Sequence, residues 1–192
     1  MRRPLEAADA KGGPEATLEV DRFKRGNIIH RLLQLLPTVP EDRRAALAEQ
    51  FLRNPSHGLA AAEITAWRDE VLAVLDHPDY VELFSARGRA EVPLCGLVRG
   101  QMGDDTSQQV ISGQIDRLLV SDSRIIAVDY KSNRPPPADV AAVPRLYLRQ
   151  MAAYRALLRQ IYPGKTIHCG LLWTDGPNLM LLPEDLLDAN MP

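Results

Sequence analysis

Two acidic residues stand inside otherwise apolar, strand-forming runs, and no other feature constrains this chain as tightly. One run is Gly113-Gln114-Ile115-Asp116-Arg117-Leu118, and the second is Ile126-Ala127-Val128-Asp129-Tyr130-Lys131. A lone carboxylate is costly to bury unless it is paired or ligates a metal. Ser121-Asp122-Ser123 reads as a tight turn, so Val110 to Val120 and Arg124 to Lys131 form a hairpin. Alternation sets Asp129 and Lys131 on one face, roughly 6–7 Å apart along the strand, and a short hairpin can bring Asp116 to the same side. Two converging carboxylates make a hard-oxygen site suited to Mg2+ or Mn2+. The adjacent lysine can orient or deprotonate a water, or stabilise charge on a phosphate. The simpler alternative is a salt bridge between Lys131 and either aspartate, and for an isolated Asp-x-Lys that alternative is the commoner one.

The rest of the chain frames this hairpin. Three helices are predicted before it: Arg22 to Leu36, with Ile28, Leu32, Leu35 and Leu36 as its apolar stripe; Glu41 to Arg53; and a third running from an N-cap at Ser56 to Leu75. The period then changes to that of strands, with Glu91 to Leu97 the first and Gln101 to Gln108 a polar loop. Pro135-Pro136-Pro137 stops the hairpin. A long helix from Pro144 to Tyr162, a strand from Thr166 to Trp173, a turn at Asp175-Gly176, a short strand from Asn178 to Leu182 and a weak terminal helical turn complete the order. That order specifies an α/β fold with a mixed central sheet and additional N-terminal helices. Residues 1–20 mix Pro, Gly, Ala and charge without a period and read as a flexible tail or interdomain linker, leaving 21–192 as one domain.

Composition excludes several classes. The net charge of -2 across 192 residues gives no overall basic signal, although an acidic metal site can offset local Arg-rich patches. Cys95 and Cys169 are far apart and support neither a disulfide framework nor a zinc site, so both are expected as reduced core residues of a cytoplasmic protein. No apolar run approaches a membrane span, the first residues do not read as a signal-peptide h-region, and there is no GxxxxGK(S/T) phosphate-binding loop.

Further residues gather around the hairpin by pattern. Gln150 and Tyr154 share one face of the long helix with Tyr147, Leu157, Leu158 and Ile161, opposite Arg145, Arg149 and Arg159. A Gln facing a core needs hydrogen-bond partners, either as a core-edge residue or as support for a site. His30 projects from the first helix near Phe23, Asn27 and Gln34; it is either an exposed histidine or a metal ligand, with Gly26 leaving room beside it. Glu91 is either a strand-edge acid or a third site carboxylate. Arg87, Arg89 and Arg134 are candidates for phosphate contacts. His57 and His77 read as loop or cap residues and His168 as a strand residue.

Taken together, Gly26-x-x-x-His30, Gly113-x-Ile115-Asp116-Arg117-Leu118, Val128-Asp129-Tyr130-Lys131-Ser132 and Gln150-x-x-x-Tyr154 occur in the order seen in RecB-type nucleases of the PD-(D/E)XK group. The segments Arg25 to Pro37 and Leu172-Trp173-Thr174 look closest to AddA-type C-terminal nuclease domains, and the resemblance spans about residues 22–183. It implies a restriction-endonuclease-like αβββαβ core. It also implies metal ligation by His30, Asp116, Asp129 and the main-chain carbonyl of Tyr130, a catalytic Lys131, and support of site and DNA by Gln150 and Tyr154. Glu91 matches the family's upstream acid less closely.

The activity implied is Mg2+- or Mn2+-dependent exonucleolytic cleavage of DNA in double-strand-break repair. The strand would be fed by AddA helicase domains, where ATP is used, in complex with an AddB-type subunit. The alternatives are a non-catalytic DNA-end-binding module on the same fold and a stand-alone PD-(D/E)XK nuclease.

Overall fold

The computed structural model describes residues 14–99 and 108–191, with side chains from 22 to 98 and from 108 on. The elements are α1 (Pro14–Leu35), α2 (Glu41–Leu52), α3 (Ala61–Leu75), β1 (Gly88–Arg99), β2 (Gln108–Val120), β3 (Arg124–Lys131), α4 (Arg145–Ile161), β4 (Thr166–Trp173), β5 (Asn178–Leu182) and α5 (Glu184–Asp188). One five-stranded sheet runs β1-β2-β3-β4-β5. All its pairs are antiparallel except β3 with β4, which are parallel. A parallel pair needs a long crossover, and α4 supplies it. This is the α/β architecture with a mixed sheet expected from the element order.

The central strands are apolar on both faces, so each face carries a core. Ile125, Ala127, Ile167, Cys169, Leu171 and Trp173 pack with Leu148, Met151, Tyr154 and Leu157 of α4. On the opposite face Leu119, Val128, Tyr130 and Leu172 pack with Ile29 and Leu33 of α1, Leu52 of α2, and Trp67 and Val71 of α3. Asp129 and Lys131 share strand parity with Ala127 and hence the α4 side, while Tyr130 turns toward α1–α3.

Several expectations are corrected. Helix α1 begins at Pro14 rather than Arg22, so residues 14–20 are helical rather than without a period; proline suits a first helical turn because its missing N–H is not needed there. Residues 1–13 of the expected tail, and the expected loop up to residue 107, lie outside the described residues. Gln108 is already the first residue of β2. The buried stripe of α1 is Ile28, Ile29, Leu32 and Leu33, continued by Leu36 in the 3-10 turn that follows, whereas Leu35 is exposed.

Ser56 does not cap α3. It lies in a 3-10 turn, Pro55–His57, capped by Asn54, and Gly58 ends that turn with a left-handed φ of 56°. Helix α3 starts at Ala61, and the Glu63 carboxylate accepts the Ala60 N–H at 2.8 Å. Strand β1 starts at Gly88, which puts Glu91 inside it. Ile161, expected on the inner face of α4, is exposed. Arg155, on which the helical pattern is silent, is buried and ion-paired to Glu184 and Asp188 of α5.

The two cysteines part company. Cys169 is buried, but Cys95 is exposed on β1, against the expectation that both are core. Burial pushes the Cys169 thiol up to about 12, and the thiolate is the reactive species. A disulfide reagent at neutral pH is therefore expected to modify one thiol rapidly in the native protein and the second only after unfolding. Loss of the fast phase in Cys95→Ser would confirm the assignment, and two equal fast phases would refute it.

Candidate active site

The site forms where the sheet forks. Strands β2 and β3 pair from Val120↔Ile125 to Arg117↔Val128 and then part. Beyond that point Asp129, Tyr130 and Lys131 are paired only with Leu171, Leu172 and Trp173 of β4. Ile115 and Leu118 both pack into the α4-side core although they are three residues apart. Regular alternation would put them on opposite faces, so β2 kinks at Asp116-Arg117. The kink frees Asp116 to do the work of a strand: its Oδ2 accepts the Tyr130 N–H at 2.6 Å.

Opposite the kink, Glu91 is the residue of β1 left out of the ladder, between Ala90↔Arg117 and Val92↔Ile115. Its φ is 54°, and among the described residues no other non-glycine has a positive φ. Such a conformation costs on the order of 1–3 kcal/mol and is found where surrounding structure imposes it. Here it turns the Glu91 carboxylate into the fork. Gln114 donates to that carboxylate at 2.6 Å.

Helix α1 closes the third side. His30 Nδ1 stands 3.4 Å from Asp116 Oδ1, and its ring meets Tyr130 edge-on at 5.4 Å. Ligand atoms of His30, Glu91 and Asp116 all lie within 4.8 Å of one another. The close approach depends on Gly26, where an added Cβ would lie 3.1 Å from Ser132 Oγ just past β3. Helix α4 closes the fourth side. Gln150 Nε2 donates to Asp129 Oδ1 at 3.0 Å and to the Tyr154 hydroxyl at 3.2 Å. Lys131 Nζ sits 2.5 Å from Asp129 Oδ2, 3.4 Å from Gln150 Oε1 and 3.9 Å from the centre of the Tyr147 ring. The aspartate–lysine salt bridge raised from sequence is thus present, within a larger constellation.

The electrostatics show a surplus of buried negative charge. Desolvation raises the Asp129 carboxyl, and the neighbouring Asp116 charge adds to the shift, against the pull of Lys131. Glu91 is raised for the same two reasons. Desolvation lowers His30, but its hydrogen bond to Asp116 and the charges of Asp116, Asp129 and Glu91 outweigh it, leaving it raised. The carboxylates of Glu91 and Asp116 and the His30 imidazole are a donor set that a divalent cation would satisfy, while Asp129 stands outside that trio, held by Lys131 and Gln150.

His30, Asp116, Asp129, Tyr130, Lys131 and Gln150 line a cleft of about 640 Å³, while Glu91 is not part of its wall. Its rim carries a network that sequence reasoning missed. Glu70 of α3 has a buried carboxylate that takes Arg25 at 2.5 Å, Arg134 at 2.8 Å and the Thr174 hydroxyl at 2.5 Å. Ser132, Asn133 and Tyr147 also line the cleft. Glu70 lies in an ordinary amphipathic helix, and only its contacts mark it out. Of the proposed phosphate-contacting arginines, Arg134 lines the cleft, while Arg87 and Arg89 do not. Arg117 is structural: it donates to Leu83 O at 2.8 Å and lies over the Phe84 ring. His77 caps a 3-10 turn, as expected for a cap residue.

A forked mixed sheet with acids and a lysine at the fork defines a nuclease class, and the family comparison agrees. The model of the PD-(D/E)XK nuclease superfamily matches residues 5–178, and the chain belongs to that superfamily. No curated protein matches the sequence. Among solved structures, a candidate exonuclease from Eubacterium rectale aligns with 13% identity and a TM-score of 0.47, over 82% of this chain and 62% of that one. The chain therefore spans less than two thirds of that protein. The protein SSO0001 aligns with 12% identity and a TM-score of 0.35, over 89% of this chain and 83% of that one. No described helix is long and apolar enough to cross a membrane.

Proposed function

We propose that this chain is a divalent-metal-dependent DNA exonuclease that works as the nuclease domain of an AddA-type helicase–nuclease in double-strand-break repair. The observation that carries the nuclease chemistry is the His30–Glu91–Asp116 cluster at the sheet fork, with His30 and Asp116 lining one cleft together with the Asp129–Lys131 pair. The four sequence motifs, in order, support a RecB-type nuclease, and the segments Arg25 to Pro37 and Leu172-Trp173-Thr174 support the AddA-type context. In that context an AddB-type subunit and helicase domains deliver the strand, and ATP serves the helicase.

His30 and Asp116 would hold the metal, with Asp129 and the Tyr130 carbonyl, and Glu91 is positioned to join them. A bound Mg2+ or Mn2+ would polarise the scissile phosphate and acidify a water. The chain's own groups do the rest. Lys131 is placed to orient a water or to hold charge on the phosphate. Gln150 fixes Asp129 and reads the position of Tyr154, and Glu70 holds Arg25 and Arg134 at the rim where a phosphate would pass.

The test is incubation with linear single- and double-stranded DNA in Mg2+ and then Mn2+, beside Asp129→Asn. Cleavage by the wild type alone supports the reading. Metal-independent DNA binding without cleavage would favour the non-catalytic end-binding module, for which the Asp129–Lys131 ion pair would be sufficient explanation. His30→Ala is expected to weaken Mn2+ binding on the order of 10–100-fold or more, since even outer residues of metal sites carry that much. A Mn2+ titration unchanged from wild type would remove His30 from the site.

A further inference from the structure

We propose that Phe23 is a strand-positioning residue of the cleft, a platform on which one base of the bound DNA strand stacks next to the cutting site. The proposal rests on the nuclease reading above. Phe23 is 72% exposed. A single exposed apolar side chain is ordinary on a protein surface, but this one is part of the cleft wall. It precedes Asn27 by four residues and His30 by seven, which puts all three on one face of α1. Seven residues of helix set Phe23 about 10 Å along the axis from His30, the distance of a neighbouring nucleotide rather than of the reacting phosphate.

The other aromatic rings of the cleft are occupied. Tyr130 packs against His30 and Phe84, and Tyr147 lies under the Lys131 ammonium and beside Trp173. Phe23 has no ring or cation partner among the described residues. Arg22, Arg25 and Arg134 line the same cleft, Arg25 and Arg134 being held on the Glu70 carboxylate. An open aromatic face in a cleft that also carries cations is the arrangement that holds a single strand, with phosphates on the arginines and a base on the ring. Stacking of this kind tolerates any base, because each has a π-face.

The test uses the full chain and linear single-stranded oligonucleotides, intact or carrying one abasic site at successive positions beside the cut. The wild type is expected to show a raised KM when one particular base is missing. Phe23→Ala is expected to raise KM on the intact strand by a similar factor, roughly 5- to 100-fold, with little change in kcat, and to become indifferent to that abasic site. Phe23→Trp is expected to restore both KM and the discrimination. Equal loss by Phe23→Ala on intact and abasic strands, or an unchanged KM, overturns the proposal. Fluorescence anisotropy on the same strands under non-cleaving conditions gives an independent readout. A protein that binds with abasic discrimination but never cuts would refute the nuclease reading and leave the platform standing; cutting without discrimination would do the reverse.

Discussion

Asp129→Asn is expected to eliminate DNA cleavage, by a thousandfold or more, while the domain stays folded. In the proposed role, holding a metal and organising Lys131, the Asp129 carboxylate would support several kcal/mol of transition-state stabilisation, and about 4 kcal/mol is three decades in rate. The stability side can be signed from the electrostatics. The Asp129 carboxyl is raised in the folded state, so the folded protein binds that proton more tightly than the unfolded chain. Such a group costs stability progressively as pH rises from the unfolded carboxylate range through its raised folded pKa. Asn removes it and keeps an acceptor for Gln150. The metal-free Tm at pH 7 is therefore expected to hold or rise. Its gain on acidification towards pH 5 should be smaller than in the wild type, and the stabilisation by added Mn2+ should vanish. If the pair with Lys131 were instead the purpose of Asp129, stranding a buried ammonium would cost about 3–5 kcal/mol. Thermal melts would then show a large fall in Tm with cleavage unaffected or never present.

What could be read from sequence was whatever obeys a local period. Strands β3, β4 and β5 begin and end where their apolar runs do, and α4 is out by one residue at each end. Asp116, Asp129 and Lys131 were visible because charge is conspicuous in an apolar strand. Their geometry was not visible, because it depends on an interruption. Alternation would set Asp116 simply opposite Asp129, whereas β2 kinks there and the Asp116 carboxylate takes over a backbone hydrogen bond. Glu91 stands between two readings in the sequence for the same reason: no propensity announces a left-handed φ at a glutamate inside a strand. Glu70 was invisible because it acts through Arg25, Arg134 and Thr174, which are far from it in the chain. The N-cap at Ser56 failed on competition, since Asn54 and Pro55 start a separate turn first. Local rules find residues whose own environment is odd; they miss residues made important by partners.

Gly113→Ala is expected to damage both the fold and the site, and through a side chain rather than through the backbone. Gly113 has no positive φ, so alanine meets no conformational barrier there. It meets Tyr154: a Cβ would stand 2.8 Å from Cε1 and 2.9 Å from Cζ of that ring, and closer still to its hydroxyl. The ring is backed by the core that α4 makes with the sheet, so it can yield only by leaving its rotamer. Overpacking of this kind typically costs about 1–3 kcal/mol. The hydroxyl also accepts the Gln114 N–H and donates to Gln114 O, both at 3.2 Å, and takes a Gln150 hydrogen bond at 3.2 Å. Gln150 in turn holds Asp129 and Lys131. Displacing Tyr154 therefore loosens the acid–lysine pair, and a shift of about 1 Å in a catalytic group can cost a hundredfold in rate. A double-mutant cycle separates this account from a backbone one. In a Tyr154→Ala background Gly113→Ala should cost almost nothing further in stability or in cleavage. An undiminished cost in that background would mean that the glycine serves the strand itself and that the ring is a bystander.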